Sequence, residues 1–301
     1  IPGNGNDAPD MAVGRIPASN IEEAIGYLEK VDCYESGQYN GLWKNRMVFV
    51  ADDQMTSTGC ENTPHLAQTE YLAEHYTPAT IDKRKIYAVT YPTVITPQGR
   101  RKPQANADIV KYWNEGALDL HYTGHGSPDV WAHENLLEQS VVISQLFNKC
   151  RYPFVTIASC DMSKFDNPLN KSACETFVIT SSKGAIGTLA ATRPVYAEGN
   201  AALMIAFFNN LYIPRDTLLL PVRFSTALFN MKQTMHGDNE LKYVLMCDPS
   251  LRVQLPRFRT RVDSIVGLSG DTMRALSRIK IYGSVINPDS SFWNNYNGNN
   301  Q

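Results

Sequence analysis

No apolar run in this 301-residue chain approaches the roughly 18–20 residues of a membrane span, so no transmembrane helix is expected. Neither charge sign is in excess. The net charge is −2, which leaves no basic field for nucleic acid or an anionic membrane surface. The six cysteines contain no Cys-x-x-Cys pair, which argues against a zinc ribbon. Their irregular positions (33, 60, 150, 160, 174 and 247) describe no disulfide framework in a chain of this length. Repeats of solenoid period are absent. The first residues, Ile1-Pro2-Gly3-Asn4-Gly5-Asn6, are neither an initiator methionine nor a signal peptide, and suggest a mature product or an excised fragment.

What is present is ordinary globular composition. The chain is 43% hydrophobic and 19% charged, enough for a sizeable core. Ser19-Asn20 offer a cap before Ile21, Ala24, Ile25, Leu28 and Val31, which predicts a helix over about 20–35. Near-continuous apolar runs predict buried strands over 46–51, 85–90, 117–123, 153–159 and 184–190. Helical spacing falls between them, near 66–75, 105–114, 141–147 and 172–180, and again over 201–211 and 224–232. The segments 243–246 and 247–253 close the unit. The basic stretch Gly99-Arg100-Arg101-Lys102 reads as a solvated loop. Alternating strands and helices predict an α/β fold with a doubly wound, mostly parallel sheet flanked by helices over 1–256. Past Pro256 the pattern turns to β alternation at 261–265 and 278–285, with an Asn-rich tail. The stretch 257–301 therefore reads as the truncated beginning of a β domain.

Chemistry in such a sheet sits outside the carboxyl ends of its strands. Asp52-Asp53, His125, Cys160 and Thr192-Arg193 all fall at such ends. His125 lies between two glycines in His121-Tyr122-Thr123-Gly124-His125-Gly126-Ser127. Thirty-five residues on, Phe154-Val155-Thr156-Ile157-Ala158-Ser159 leads into Cys160. A thiol and an imidazole at neighbouring strand ends suggest a nucleophile with its acid/base partner. The N–H groups of Gly126 and Cys160 could hold an oxyanion, and Asp53 could orient His125. Other readings stay open. Cys160 and His125 could each be structural, and Asp52-Asp53 could be a solvated turn. His121 and His125 with nearby His133 could bind zinc, although an i, i+4 pair shares a face only on a helix. Gly124-His125-Gly126-Ser127 could cradle phosphate, but its spacing fits neither common fingerprint.

Together, Gly14-Arg15-Ile16-Pro17, Tyr122-Thr123-Gly124-His125-Gly126-Ser127 with Trp131, Ala158-Ser159-Cys160 and Asp248-Pro249-Ser250-Leu251 resemble the gingipain-type cysteine peptidases of the caspase-like clan. The resemblance spans most of the chain. It implies a caspase/gingipain-like fold, with His125 as the catalytic histidine and Cys160 as the nucleophile. By the same resemblance, Asp53 is an acidic residue near the histidine and Trp131 helps to wall the substrate cleft. Cys247 stands where a glycine is usual. Arg-specific members hold the substrate arginine with an acidic residue near 64–66. Here those positions are Pro64, His65 and Leu66, so such specificity would need another carboxylate such as Asp52, Glu61 or Asp129.

Within the family, three stretches resemble the signal peptidase/sortase branch that serves type IX secretion. They are Thr192-Arg193-Pro194-Val195-Tyr196, the helix start His65-Leu66-Ala67-Gln68-Thr69-Glu70, and the continuation from Val262 to Arg278. That resemblance implies cleavage of C-terminal signal domains from secreted cargo and transfer of the new terminus to an amine of anionic lipopolysaccharide. It also implies an outer-membrane, cell-surface location, other type IX secretion components as partners, and Thr192 and Arg193 at the substrate. No cofactor is implied. Calcium occurs in the family, but no ligand cluster in the sequence assigns it. An enzyme that only hydrolyses, and an inactive relative serving as a binding platform, are the alternatives.

Overall fold

The structure is a computed structural model that describes residues 8–56, 59–60, 64–213, 220–256, 258–287 and 289–293. The chain divides into two compact units: Ile1–Pro214 with Pro221–Gln254, and Arg215–Leu220 with Leu255–Gln301.

The first unit is built on a six-stranded sheet. Its strands are β1 (Arg46–Ala51), β2 (Asp82–Tyr87), β3 (Asp119–Thr123), β4 (Phe154–Ala158), β5 (Gly187–Ala191) and β6 (Tyr243–Met246). They lie in the order β6-β5-β4-β3-β1-β2, all parallel except β6, which runs antiparallel along the edge at β5. The expected mostly parallel α/β sheet is what forms. Every residue of β3, β4 and β5 is buried, because both faces of a parallel sheet are covered by its crossover helices.

Among the described residues, seven helices cover the sheet: α1 (Ile21–Glu35), α2 (His65–His75), α3 (Pro103–Glu115), α4 (Gln139–Gln145), α5 (Ala173–Ile179), α6 (Ala197–Tyr212) and α7 (Phe224–Thr234). Asn20 caps α1 by accepting the Glu23 N–H, and Ser172 with Glu175 forms a capping box at α5. Strand alternation sorts the core into two faces. Val48, Leu120, Tyr122, Val155 and Ile157 pack with Trp113 of α3 and Phe177 of α5. The opposite face sets Phe49 and His121 against Phe208 of α6, and stacks Phe154 on Phe224 of α7 at 4.0 Å.

Two strands of the sheet begin three residues from the expected position. β2 begins at Asp82 rather than 85. As an edge strand it carries half-buried Asp82 and Lys83 and exposed Arg84 and Lys85, so its apolar signal is displaced towards Ile86, and Ala88–Thr90 turns into a 3-10 helix. β5 begins at Gly187 rather than 184. Gly184 has φ +90 and its carbonyl accepts the Trp113 indole and Asn148 amide, which fixes it in the turn after α5.

The cysteine spacing also concealed a pairing. Cys33 on α1 and Cys150 before β4 form a disulfide with Cα atoms 5.4 Å apart, closing a sequence separation of 117 residues. Closing so long a loop stabilises the fold by about 4–5 kcal/mol in the chain-entropy account.

In the second unit, β7 (Arg259–Val266) pairs antiparallel with β8 (Lys280–Ile286) across a register shift between Val262 and Ser264. Phe258 stacks on Trp293 at 4.2 Å.

Candidate active site

The register of β3 and β4 decides where the chemistry can occur. Thr123 pairs with Ala158 at the carboxyl ends of two adjacent parallel strands. His125 and Cys160 each lie two residues beyond that pair, so both leave the sheet side by side at one edge. Adjacent strands are about 4.8 Å apart. Both residues are half-buried.

The backbone of His125 is held on two sides. Its N–H donates to Asp52 Oδ2 at 3.1 Å. Its carbonyl accepts the Tyr122 hydroxyl at 2.6 Å and the Ala132 N–H at 2.9 Å. Both flanking glycines are required by close approach. A Cβ on Gly124 would lie 2.4 Å from Asp52 Cβ and from the Tyr122 hydroxyl, and one on Gly126 would lie 2.4 Å from Ser159 Oγ. Gly126 faces Trp131 in an isolated antiparallel bridge whose hydrogen bonds are made by Ser127 with Val130 and by Ala132 with His125. The N–H of Gly126 is not used in that pair.

Cys160 follows β4 after Ser159, and Asp161 behind it has φ +58, a left-handed turn that redirects the chain at the thiol. The Val195 N–H reaches Cys160 Sγ at 3.4 Å, and Sγ faces the Val195 carbonyl at 3.5 Å. The 192–196 segment thus runs past the sulfur. Asn239 fixes it there by accepting the Tyr196 N–H and donating to the Tyr196 carbonyl. Thr192 bonds through its own N–H and hydroxyl to the Lys242 carbonyl. Arg193 is exposed, and its guanidinium forks onto the Asp166 carboxylate. Arg193 therefore ties the loop after β5 to the loop after Cys160.

At the end of β1, Asp52 and Asp53 are both buried. Burial, with the like charge of Glu134 beside it, raises the Asp52 carboxyl to about 7 against the pull of the His125 N–H. Asp53, expected to orient His125, accepts the Met55 N–H at 2.8 Å and pairs with Arg100 at 3.1 Å and Lys102 at 3.3 Å. Arg100 also pairs with Glu134, which is fully buried. The basic 99–102 stretch is accordingly not a solvated loop. Gly99–Arg101 is one arm of a hairpin with Val94–Thr96, and it delivers two cations to two buried carboxylates that would otherwise be too costly to ionise. Nothing in the local sequence marks Glu134, but a buried acid next to a basic hairpin is the kind of pairing that burial demands.

Trp131 requires a correction. It is fully buried and stacks face to face on Tyr122 at 4.4 Å, with Trp113 behind it at 6.4 Å. It supports the tyrosine whose hydroxyl holds His125, and it does not wall an open cleft. His121 is likewise not a partner of His125. Its two ring nitrogens bond Thr156 and Thr123, and burial lowers its pKa to about 3. Thr156 continues to Asp119, which also receives the Tyr212 hydroxyl, so a closed polar chain runs through the core beneath the histidine turn.

His65, at the first position of α2, packs its ring edge-on to that of His125 with centres 5.2 Å apart, and His133 lies 4.9 Å from His125 on a hairpin tip. Of the carboxylates that could serve a substrate cation, Asp129 is exposed, Asp52 is buried on His125, and Glu61 lies outside the described residues.

The family model described as peptidase family C25 matches residues 2–254 of this chain. Among solved structures, the chain resembles the crystal structure of the Arg-specific cysteine proteinase gingipain R (RgpB), with 17% identity and a TM-score of 0.64 over 87% of this chain and 60% of that one. It also resembles the complex of Porphyromonas gingivalis RgpB pro- and mature domains, with 17% identity and a TM-score of 0.63 over 86% and 61%. A third structure, described as a protease, has 14% identity and a TM-score of 0.62 over 94% and 68%. The chain thus spans about three fifths of the length of the first two. No curated protein matches it.

Proposed function

This chain belongs to peptidase family C25, the gingipain-type cysteine peptidases, and from that premise we propose that Cys160 and His125 carry thiol-based acyl transfer. The observation that carries the assignment is the pairing of Thr123 with Ala158, which sets the two side chains at neighbouring strand ends. Cys160 sulfur attacks the scissile carbonyl carbon, forming the S–C bond. The N–H groups of Gly126 and Cys160 hold the oxyanion. His125 takes the thiol proton and delivers it to the leaving amine nitrogen as the C–N bond breaks. The thioester then passes its acyl group to water or to an amine. Asp53, with Asp52, keeps the histidine turn in register, and Thr192 and Arg193 border the substrate beside the Val195 contact with the sulfur.

The finer reading is that of a type IX secretion signal peptidase/sortase, PorU-type. It would remove C-terminal signal domains from cargo at the outer-membrane surface and join the new carboxyl terminus to an amine of anionic lipopolysaccharide, working with other type IX secretion components. The stretches 192–196, 65–70 and 262–278 support it. The Cys33–Cys150 disulfide supports an oxidising compartment outside the cytoplasm. No described helix is long and apolar enough to cross a membrane.

The test offers a cargo C-terminal domain with its preceding linker to the wild type and to Cys160→Ala. Cleavage by the wild type alone is expected, and equal cleavage by both ends the thiol mechanism. Adding a small primary amine separates the two acceptors. An amine-capped product supports transfer, whereas hydrolysis alone at every amine concentration favours the simpler endopeptidase.

A further inference from the structure

The main chain of the 192–196 segment is held along both edges. Successive residues of an extended chain turn their N–H and carbonyl groups to opposite sides. On one side, the Arg193 carbonyl accepts the Asp161 N–H at 3.5 Å, and the Val195 N–H reaches Cys160 Sγ at 3.4 Å. On the other, the Thr192 N–H donates to the Lys242 carbonyl at 2.9 Å, and the Pro194 carbonyl accepts Lys242 Nζ at 3.0 Å. Tyr196, extended with φ −101 and ψ 140, gives both its main-chain groups to Asn239. Arg193 and Val195 thus face the Cys160 loop, and Thr192, Pro194 and Tyr196 face the 239–242 turn.

Asn239 pairs with Tyr196 as a neighbouring strand would. Its Oδ1 accepts the Tyr196 N–H at 3.2 Å, and its Nδ2 donates to the Tyr196 carbonyl at 2.8 Å. Nδ2 also donates to Asn200 Oδ1 at 3.0 Å, and the Tyr243 hydroxyl donates to the same oxygen at 2.9 Å. These bonds fix which way the amide points, because a flipped amide would set two donors against each other at Tyr196. Asn239 is 6% exposed, Asn200 4%, and Tyr243 is fully buried. Gly199 leaves the space the amide needs, since a Cβ there would lie 2.5 Å from Asn239 Nδ2.

We propose that Asn239 is a positioning residue for the nucleophile. By clamping Tyr196 it holds the adjacent Val195 peptide against Cys160 Sγ, and Asn200 with Tyr243 orients the clamp. The Val195 N–H favours the sulfur anion that attacks the carbonyl, because a donor aimed at a forming charge strengthens as the charge appears. A small shift of that peptide misplaces the donor and the sulfur together. Asn239 acts only through Tyr196, on the far side of the ribbon from the sulfur. The catalytic consequence rests on the peptidase reading, whereas the clamp itself does not.

The experiment compares the wild type with Asn239→Ala, Asn239→Asp and Tyr243→Phe in cleavage of a cargo C-terminal domain with its linker. In Asn239→Ala, kcat should fall about tenfold or more while KM changes by less than about threefold. In Asn239→Asp the carboxylate still accepts the Tyr196 N–H but donates nothing. Burial raises the pKa of such an acid, and its protonated form regains a donor. Expressed as a fraction of wild type at each pH, its kcat should climb about threefold or more from about pH 8 to about pH 5.5, while the Asn239→Ala fraction stays flat. Tyr243→Phe deletes one hydroxyl and should lose roughly twofold to fivefold in kcat while staying folded, which keeps the test open if Asn239→Ala does not fold. A rise in KM with kcat unchanged, or a flat fraction for Asn239→Asp, overturns the proposal. Amide hydrogen exchange at Tyr196 should be about tenfold or more faster in Asn239→Ala, with the β4 amides still protected. If no form cleaves, the peptidase reading falls and the exchange still decides the clamp, because an unchanged rate at Tyr196 overturns it.

Discussion

Asp52 Oδ2 accepts the backbone N–H of His125 at 3.1 Å, so the end of β1 fixes the turn that follows β3. The same carboxylate receives the Asp53 N–H at 2.8 Å through its other oxygen. An acid placed here sets the position of the imidazole without touching its ring through this bond.

Removing that acceptor should therefore damage turnover more than substrate binding. Asp52→Ala leaves a buried N–H unsatisfied, at a cost of about 1–3 kcal/mol. We expect kcat to fall roughly tenfold to a hundredfold with KM little changed, because a small displacement of His125 misaligns proton transfer. Asp52→Asn keeps an oxygen acceptor and should recover most of the loss. Equal defects in the two variants would show that charge, rather than position, matters.

Gly126→Ala should be destabilising through one contact. Its Cβ would lie 2.4 Å from Ser159 Oγ, a buried hydroxyl without a hydrogen-bond partner. Overpacking of this kind costs about 1–3 kcal/mol. Ser159→Ala alone should be close to neutral. Combined with Gly126→Ala it should restore part of the stability, giving a favourable coupling in a double-mutant cycle measured by denaturant unfolding. Additive effects would contradict the contact.

Asp119 gives the fold a pH dependence of definite sign. Burial raises its carboxyl to about 7 despite the donors Tyr212 and Thr156. The folded state therefore holds a proton that the unfolded chain releases near pH 4. This contribution is complete below that value and is lost as pH rises from about 4 to about 7. His121 acts oppositely, since its pKa is lowered to about 3 and stability is lost as pH falls from about 6.5 to 3. Asp119→Asn removes only the first effect. Its melting temperature should fall more steeply below pH 6 than that of the wild type. Parallel pH profiles for the two proteins would refute the assignment.

Reducing Cys33–Cys150 should lower stability by about 4–5 kcal/mol, or roughly 10–20 °C in melting temperature for a unit of this size. Cys33→Ser/Cys150→Ser should show the same shift, and reductant should then have no further effect on it. A melting temperature insensitive to reductant in the wild type would mean that the bond is not formed.

Much of the fold was legible because it depends on local order. Buried parallel strands read as apolar runs, and caps such as Asn20 and Ser172 mark helix starts. Boundaries failed where another interaction dominated. At β2 the charged edge hid the strand, and at Gly184 a left-handed turn interrupted an apolar run. The positions of His125 and Cys160 at strand ends were also readable, since a strand that stops in glycine or polar residues announces its end.

The sequence by itself thus determined the alternation of strand and helix, and the placement of a histidine turn and a cysteine at carboxyl ends of two strands. It did so because hydrophobic period and turn chemistry act over a few residues. Only the tertiary structure decided the rest: Arg100 and Lys102 on Asp53, Arg100 on Glu134, Trp131 beneath Tyr122, Cys33 against Cys150, and His65 and His133 against His125. Most of these contacts join separate elements of the fold. They depend on the strand order β6-β5-β4-β3-β1-β2 and on the need to pair each buried charge, neither of which a local pattern encodes.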